Sequence, residues 1–171
     1  VGFVNDRAAS GNPNDALDFS AGTAAATAEA DETAVTMDNF EFNLEDGELS
    51  MTFSETVDTF TFSATAITIQ SEVGTGGSNV TLSGIKAGTS VVRNPVTVLT
   101  MLLTDSDMND ITALSALAID RNSTLLSTTS SVVSDMAALA CVAVPTSAPL
   151  RTTAFTEDVT NPTLTGFDLD M

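Results

Sequence analysis

The side chains that could do chemistry in this sequence are carboxylates and hydroxyls. The chain contains no His, and its single cysteine is Cys141. Ser–His–Asp and Cys–His catalysis and imidazole-bound metals are therefore excluded, as are an intrachain disulfide and a four-cysteine metal site. What remains is carboxylate acid–base chemistry and the binding of cations by oxygen ligands.

Two pairs of carboxylates lie close together along the chain, Glu45 with Asp46 and Glu55 with Asp58. Paired carboxylates can hydrolyse glycosidic bonds. Glycosidase clefts normally stack sugars on aromatic rings, however, and this chain has no Trp and no Tyr. We therefore expect no enzymatic activity and no catalytic residues.

One acidic segment has part of the spacing of a calcium-binding loop. Asp105, Asp107 and Asn109 match its first three ligand positions, but Asp110 stands where that loop requires Gly. We interpret these acids as residues that cap the N-terminus of a helix.

Two segments match the acceptor sequence for N-glycosylation, Asn79-Val80-Thr81 and Asn122-Ser123-Thr124. Both lie in predicted loops or strand starts, where a glycan would be accessible. We predict glycosylation at Asn79 and Asn122 if the source is eukaryotic. Cys141 lies in an apolar run, which predicts a buried thiol, with an intermolecular disulfide as the alternative.

The composition restricts the possible partners. The 23 acidic and 5 basic residues give a net charge of -18, which would repel nucleic acid and anionic lipid. No run of 18 apolar residues is present, so we expect no membrane insertion. The 27 Thr and 17 Ser favour strands, and an acidic, Thr-rich, Lys-poor composition indicates an extracellular or cell-surface β-protein.

A repeat of about 127 residues is the main feature of the sequence, because residues 157–171 resemble residues 30–44 without a gap. The identical pairs are Asp31/Asp158, Thr33/Thr160, Thr36/Thr163 and Phe40/Phe167. We predict that residues 1–31 are the strand-donating tail of one repeat, that residues 32–158 form a complete unit, and that residues 159–171 open the next. The alternative is a single domain with two similar ends.

The repeat boundaries are also rich in acids. These could bind calcium between neighbouring repeats, and the alternative is a solvated acidic surface. The possible ligands are Asp31, Glu32, Asp158, Asp168 and Asp170. No other cofactor is expected.

Alternating apolar residues over 32–72 predict strands, with a turn at residues 45–48 in which Gly47 adopts a positive φ. The apolar run from Val96 to Leu103 predicts a central strand. An apolar stripe at three-residue spacing predicts one short helix over about 105–117. The sequence therefore predicts an all-β, antiparallel β-sandwich with one helix.

The segment Leu49–Asp58, LSMTFSETVD, resembles the "LTFSE-x-VD" signature of bacterial-type Ig-like repeats. Residues 64–70 and the opening of 158–164 fit the same pattern. Similar repeats occur in very large surface proteins of bacteria, cyanobacteria and marine microalgae. The resemblance implies tandem Ig-like domains in adhesins, surface layers or hair-like appendages, and the additional helix suggests the algal type.

These observations predict a structural repeat of a large extracellular glycoprotein that forms a filament, a hair-like appendage or a cell-surface array. Its partners would be neighbouring copies, joined head to tail by strand complementation. Three residues would lie on one side of the donated strand: Phe167, Leu169 and Met171. The alternatives are a glycan-binding stalk module of an adhesin, acting through loops such as 73–79, and a viral fibre domain.

Overall fold

The computed structural model describes residues 29–89, 91, 96–160 and 166. It divides the chain into two compact units, Val1–Asp31 and Glu32–Met171. The described part of the first unit is residues 29–31, which are exposed. The fold that follows is that of the second unit. The assignment of its residues to a complete repeat and the start of another stays a prediction.

The second unit is mostly β, with two sheets that are consistent with a β-sandwich, and its described residues contain a single α-helix. The strands are β1 (Met37–Asn43), β2 (Glu48–Asp58), β3 (Ile67–Gln70), β4 (Asn79–Thr81), β5 (Val96–Leu102), β6 (Leu125–Thr128), β7 (Ser134–Asp135), β8 (Leu150–Arg151) and β9 (Ala154–Thr156). One sheet has the order β5-β2-β1-β9, with β7 also paired to β2, and the other has the order β4-β3-β6-β8.

The hairpin of β1 and β2 forms as predicted, because alternating apolar side chains supply one buried face on each strand. Phe40 and Phe42 are buried on β1, and Leu49 and Met51 are buried on β2. Gly47 closes the turn at φ +68, and a Cβ at this position would lie 3.1 Å from the sulfur of Met108. Backbone conformation and space both favour glycine here.

Both sheets contribute to one core. Phe42 and Met51 of the first sheet belong to the same buried cluster as Ile67, Ile69 and Leu126 of the second. Residues on the opposite faces of these strands, such as those of β1 at positions 38 and 41, are exposed. The alternation therefore places the apolar residues of both sheets in a shared interior.

The prediction of a central strand at Val96–Leu103 was wrong. Strand β5 lies at one end of its sheet order and pairs with β2. Thr97, Val98 and Thr100 are exposed. Only alternate residues of this run, Leu99, Met101 and Leu103, are buried. The apolar composition of the run therefore did not mean that the strand is buried on both faces of the sheet.

The helix, α1 (Asp105–Thr112), begins as predicted and ends five residues earlier than the predicted 117. Thr104 caps it, accepting a hydrogen bond from the Asp107 N–H at 3.0 Å. At the other end the Thr112 hydroxyl donates to the Met108 carbonyl at 2.9 Å. Residues 113–117 continue as turns, in which Leu117 is still buried. The apolar stripe therefore predicted correctly that Leu117 is buried, but not where the helix ends.

The first and last strands of the unit run parallel, with Glu41 opposite Ala154 and Asn43 opposite Thr156. Strand β9 therefore ends beside the β1–β2 turn, where the Leu44 N–H donates to the Thr156 carbonyl at 2.8 Å. The chain enters β1 at the opposite end. We call the end where β1 begins the entry end, and the end with the β1–β2 turn, α1 and residues 157–160 the exit end.

Candidate functional site: the two ends of the unit

The exit end carries a groove of about 430 Å³ that is lined by both apolar and polar residues, the latter including Thr112 and Ser115. We call it the exit groove. Its apolar lining comes from the β1–β2 turn and from the residues that follow α1, and acids of the segment after β9 form part of its rim: Leu44, Leu114, Leu117, Ile119, Glu157 and Asp158. Leu44 and Leu117 are buried at its base, whereas Ile119 is 60% exposed. An exposed isoleucine beside leucine side chains gives this end an apolar surface that a partner could cover.

Glu45 holds the segment that leaves the unit at this end. One of its carboxylate oxygens accepts the Val159 N–H at 2.7 Å and the Thr160 N–H at 3.3 Å. Its other oxygen accepts the Thr160 hydroxyl. These hydrogen bonds, the Thr160 hydroxyl first, lower the pKa of Glu45 because they favour the charged form. The charged carboxylate therefore fixes the start of the chain beyond β9.

Part of the entry end is covered by the unit's own residues. The Val142 N–H donates to the Val35 carbonyl at 2.9 Å, and the Cys141 N–H donates to the Val133 carbonyl at 2.9 Å. Val35, Val133 and Cys141 are buried. Burial raises the pKa of the Cys141 thiol, because the apolar surroundings disfavour the thiolate. These three side chains are thus covered by the same unit, whereas Met136 and Val142 at this end are at least half exposed.

Two carboxylates meet at the entry end. Strand β2 extends beyond the start of β1 and there pairs with β7, with Val57 opposite Asp135. Carboxylate oxygens of Glu55 and Asp135 lie within 4.8 Å of each other. Asp135 is 2% exposed, and one of its oxygens has no hydrogen-bond partner. An acid pair of this kind can bind a cation through oxygen ligands.

The acids predicted to bind calcium between repeats are not brought together in the part of the chain that the structure describes. Glu32 precedes β1, and Asp158 follows β9 at the exit end. Both are exposed, as is Asp31. Asp168 and Asp170 lie outside the described residues, as do Phe167, Leu169 and Met171 of the predicted assembly strand. Calcium at the repeat boundary stays a prediction.

Both predicted glycosylation sites are exposed. Asn79 lies in β4, and its side-chain amide donates to the Gly77 carbonyl at 3.3 Å. Asn122 lies in a turn where the Asp120 carboxylate accepts the N–H groups of residues 122 and 123. Its side-chain carbonyl accepts a hydrogen bond from Arg151. The structure therefore places both asparagines at the surface, and whether they carry glycans stays a prediction.

No family model, curated protein or solved structure matches this chain. Among the described residues, no helix is long and apolar enough to span a membrane.

The carboxylates that sequence reasoning considered for catalysis have structural partners. Asp58 accepts the Phe60 N–H at 3.0 Å, and Asp46 accepts a hydrogen bond from the Asn43 side chain at 2.7 Å. In the segment with calcium-loop spacing, Asp105 forms an ion pair with Lys86 at 2.8 Å, and buried Asp107 accepts the Ser83 N–H at 2.9 Å. These contacts fix turns and the start of α1.

Sequence reasoning missed Asp135 and the role of Glu45. Asp135 itself offered a signal, because an Asp side chain often accepts an N–H group from the backbone about two residues further on. Asp135 does so with Ala137 and Leu139, both at 2.8 Å. The contacts of Glu45 with Val159 and Thr160 span more than 110 positions of sequence, and no local pattern predicts them.

Proposed function

We propose that this chain is a structural repeat of an extended extracellular array, in which units of Ig-like type follow one another head to tail. The observation that carries the proposal is the parallel pairing of β1 and β9. Because the first and last strands run in the same direction, the chain enters and leaves at opposite ends. Units joined in this way form a linear series that does not close on itself.

The exit groove supports the same proposal. It lies beside residues 157–160, from which the following repeat would begin, and it presents the exposed side chain of Ile119. The Glu45 contacts fix the direction in which the chain departs. A following unit would therefore find an apolar surface at a defined position, and its docking there would limit bending between units.

The sequence supports the Ig-like identity and the location. The segment that resembles the Ig-like signature forms the long strand β2, which pairs with three other strands. The net charge of -18 would recur along an array and would keep neighbouring arrays apart at low salt. Glycans at Asn79 and Asn122 and side-by-side association in salt would fit an extracellular filament, hair or surface layer.

The proposal is tested with a two-unit chain, made by joining residues 45–171 directly after residue 171, since Met171 aligns with Leu44. Head-to-tail units should unfold with about twice the calorimetric enthalpy of the single chain. Small-angle X-ray scattering should show a maximum dimension longer by at least about 37 Å, the length of 11 extended residues.

The matched control carries the same added composition in scrambled order. It should add no unfolding enthalpy, which separates a folded second unit from a longer unfolded tail. A second unit that stays unfolded would contradict the repeat. A folded second unit that leaves the maximum dimension nearly unchanged would mean that the units lie side by side, which would contradict the head-to-tail arrangement.

A further inference from the structure

The unpaired oxygen of Asp135 is the most unusual polar group of the entry end. The other oxygen of this carboxylate accepts the N–H groups of Ala137 and Leu139, which closes the turn after β7. The remaining oxygen is buried and has no hydrogen-bond partner. A buried carboxylate oxygen without a partner opposes folding, because it has lost water and gained nothing in return.

Glu55 adds to this cost. Its carboxylate lies within 4.8 Å of that of Asp135, and two like charges at this distance repel more strongly in a protein interior than in water. Backbone pairing fixes their proximity, since Asp135 is opposite Val57 and Glu55 is two residues away on the same strand. The pairing therefore keeps the backbones that carry the two carboxylates close together.

We propose that Glu55 and Asp135 bind a divalent cation, with Ca²⁺ favoured because both ligands are hard oxygens and the partly exposed site leaves room for water ligands. The cation supplies the missing partner of the buried oxygen and offsets the repulsion between the two acids. The proposal does not depend on the proposed array. If units do follow one another, it lies at the end that faces the preceding unit.

The test begins with the full chain after exhaustive treatment with a chelator. Addition of CaCl₂ should release or absorb heat in isothermal titration calorimetry, and it should raise the Tm relative to the chelated protein. MgCl₂ at the same concentration should have a smaller effect, because Mg²⁺ demands a stricter geometry. Unchanged heat and Tm with CaCl₂ would overturn the proposal.

Two variants assign the effect to the pair. Glu55→Gln should weaken Ca²⁺ binding by at least about tenfold. Asp135→Asn retains an acceptor for Ala137 and Leu139, so it should remain folded while its Tm no longer responds to CaCl₂. Asp110→Asn removes one charge from an exposed helix position and serves as the matched control, with a response like that of the unchanged chain.

Two further outcomes would overturn the proposal. An equal loss of binding in Glu55→Gln and Asp110→Asn would mean that Ca²⁺ responds only to overall charge. A Tm that changes in Glu55→Gln but does not respond to CaCl₂ in the unchanged chain would mean that the pair is stabilised without a cation.

Discussion

The two ends of the unit both carry buried apolar side chains beside exposed ones, and at the entry end Met136 is 59% exposed. At the entry end, Val35, Val133 and Cys141 are buried by residues of the same unit. At the exit end the base of the groove is buried, but Ile119 remains 60% exposed. Burying apolar surface stabilises the folded chain, so the exposed side chains at both ends offer surface that a neighbour could cover, and the two ends differ in the hydrogen-bond donors that reach their acids.

The acids of the two ends differ in how many of their carboxylate oxygens accept hydrogen bonds. Glu45 at the exit end is supplied with N–H and hydroxyl donors by the departing chain. Asp135 at the entry end is supplied on one oxygen only. A carboxylate whose oxygens accept several hydrogen bonds can hold a segment of chain, as Glu45 does. The unpaired buried oxygen of Asp135 is where we propose a cation. The hydrogen-bond partners of a carboxylate therefore determine its role at each end.

The largest predicted effect is a difference in the free energy of unfolding between a substitution at the base of the exit groove and one at its rim. Leu117→Ala should lower the free energy of unfolding by about 3 kcal/mol, because it leaves a cavity under the groove. Ile119→Ala should cost less than about 0.5 kcal/mol, because that side chain is already mostly in water. Urea denaturation of the two variants measures both values. Equal costs would show that Ile119 is covered by the chain itself, and the contrast between the base and the rim of the groove would fail.

A second prediction tests the burial of the Cys141 thiol at the entry end. Cys141 is 1% exposed, and burial raises its pKa, so both access and thiolate formation are suppressed. In the native chain its reaction with a disulfide reagent should be at least about a hundredfold slower than in urea, because labelling requires local opening. The absorbance of the released thiol measures the rate. Rapid native labelling, or disulfide-linked dimers on non-reducing gels, would contradict the burial of Cys141.

The smallest predicted effect concerns Glu45. Its folded-state pKa lies below the usual 4.5, so its stabilising contacts are fully present above that value and are lost as the pH falls through the folded pKa. The amide NMR signals of Val159 and Thr160 should shift together with the titration of Glu45. The shift should vanish in Glu45→Gln, while Glu48→Gln serves as the control. Amide signals that titrate in the same way in Glu45→Gln would assign the effect to another group.

Local sequence patterns correctly predicted the strands in which apolar and polar residues alternate, because the alternation itself indicates which side chains are buried. The β1–β2 hairpin, the positive φ of Gly47 and the start of α1 all depend on residues that are neighbours in sequence. The predictions that were wrong required knowledge of distant residues. The apolar run of β5 could not show whether a strand would lie beside it, and the stripe ending at Leu117 could not show where helical hydrogen bonds would stop.

The sequence by itself determined the chemistry that this protein can use and the β-rich class of its fold, because residue types and short-range periodicity are local properties. It also provided the repeat on which the proposed array rests. Only the tertiary structure decided that β1 and β9 run parallel, that Glu45 holds residues 159 and 160, and that Glu55 meets Asp135. These depend on strand order and register over distances of about 80 to 115 residues, which are set by how the two sheets share one core and not by any local pattern.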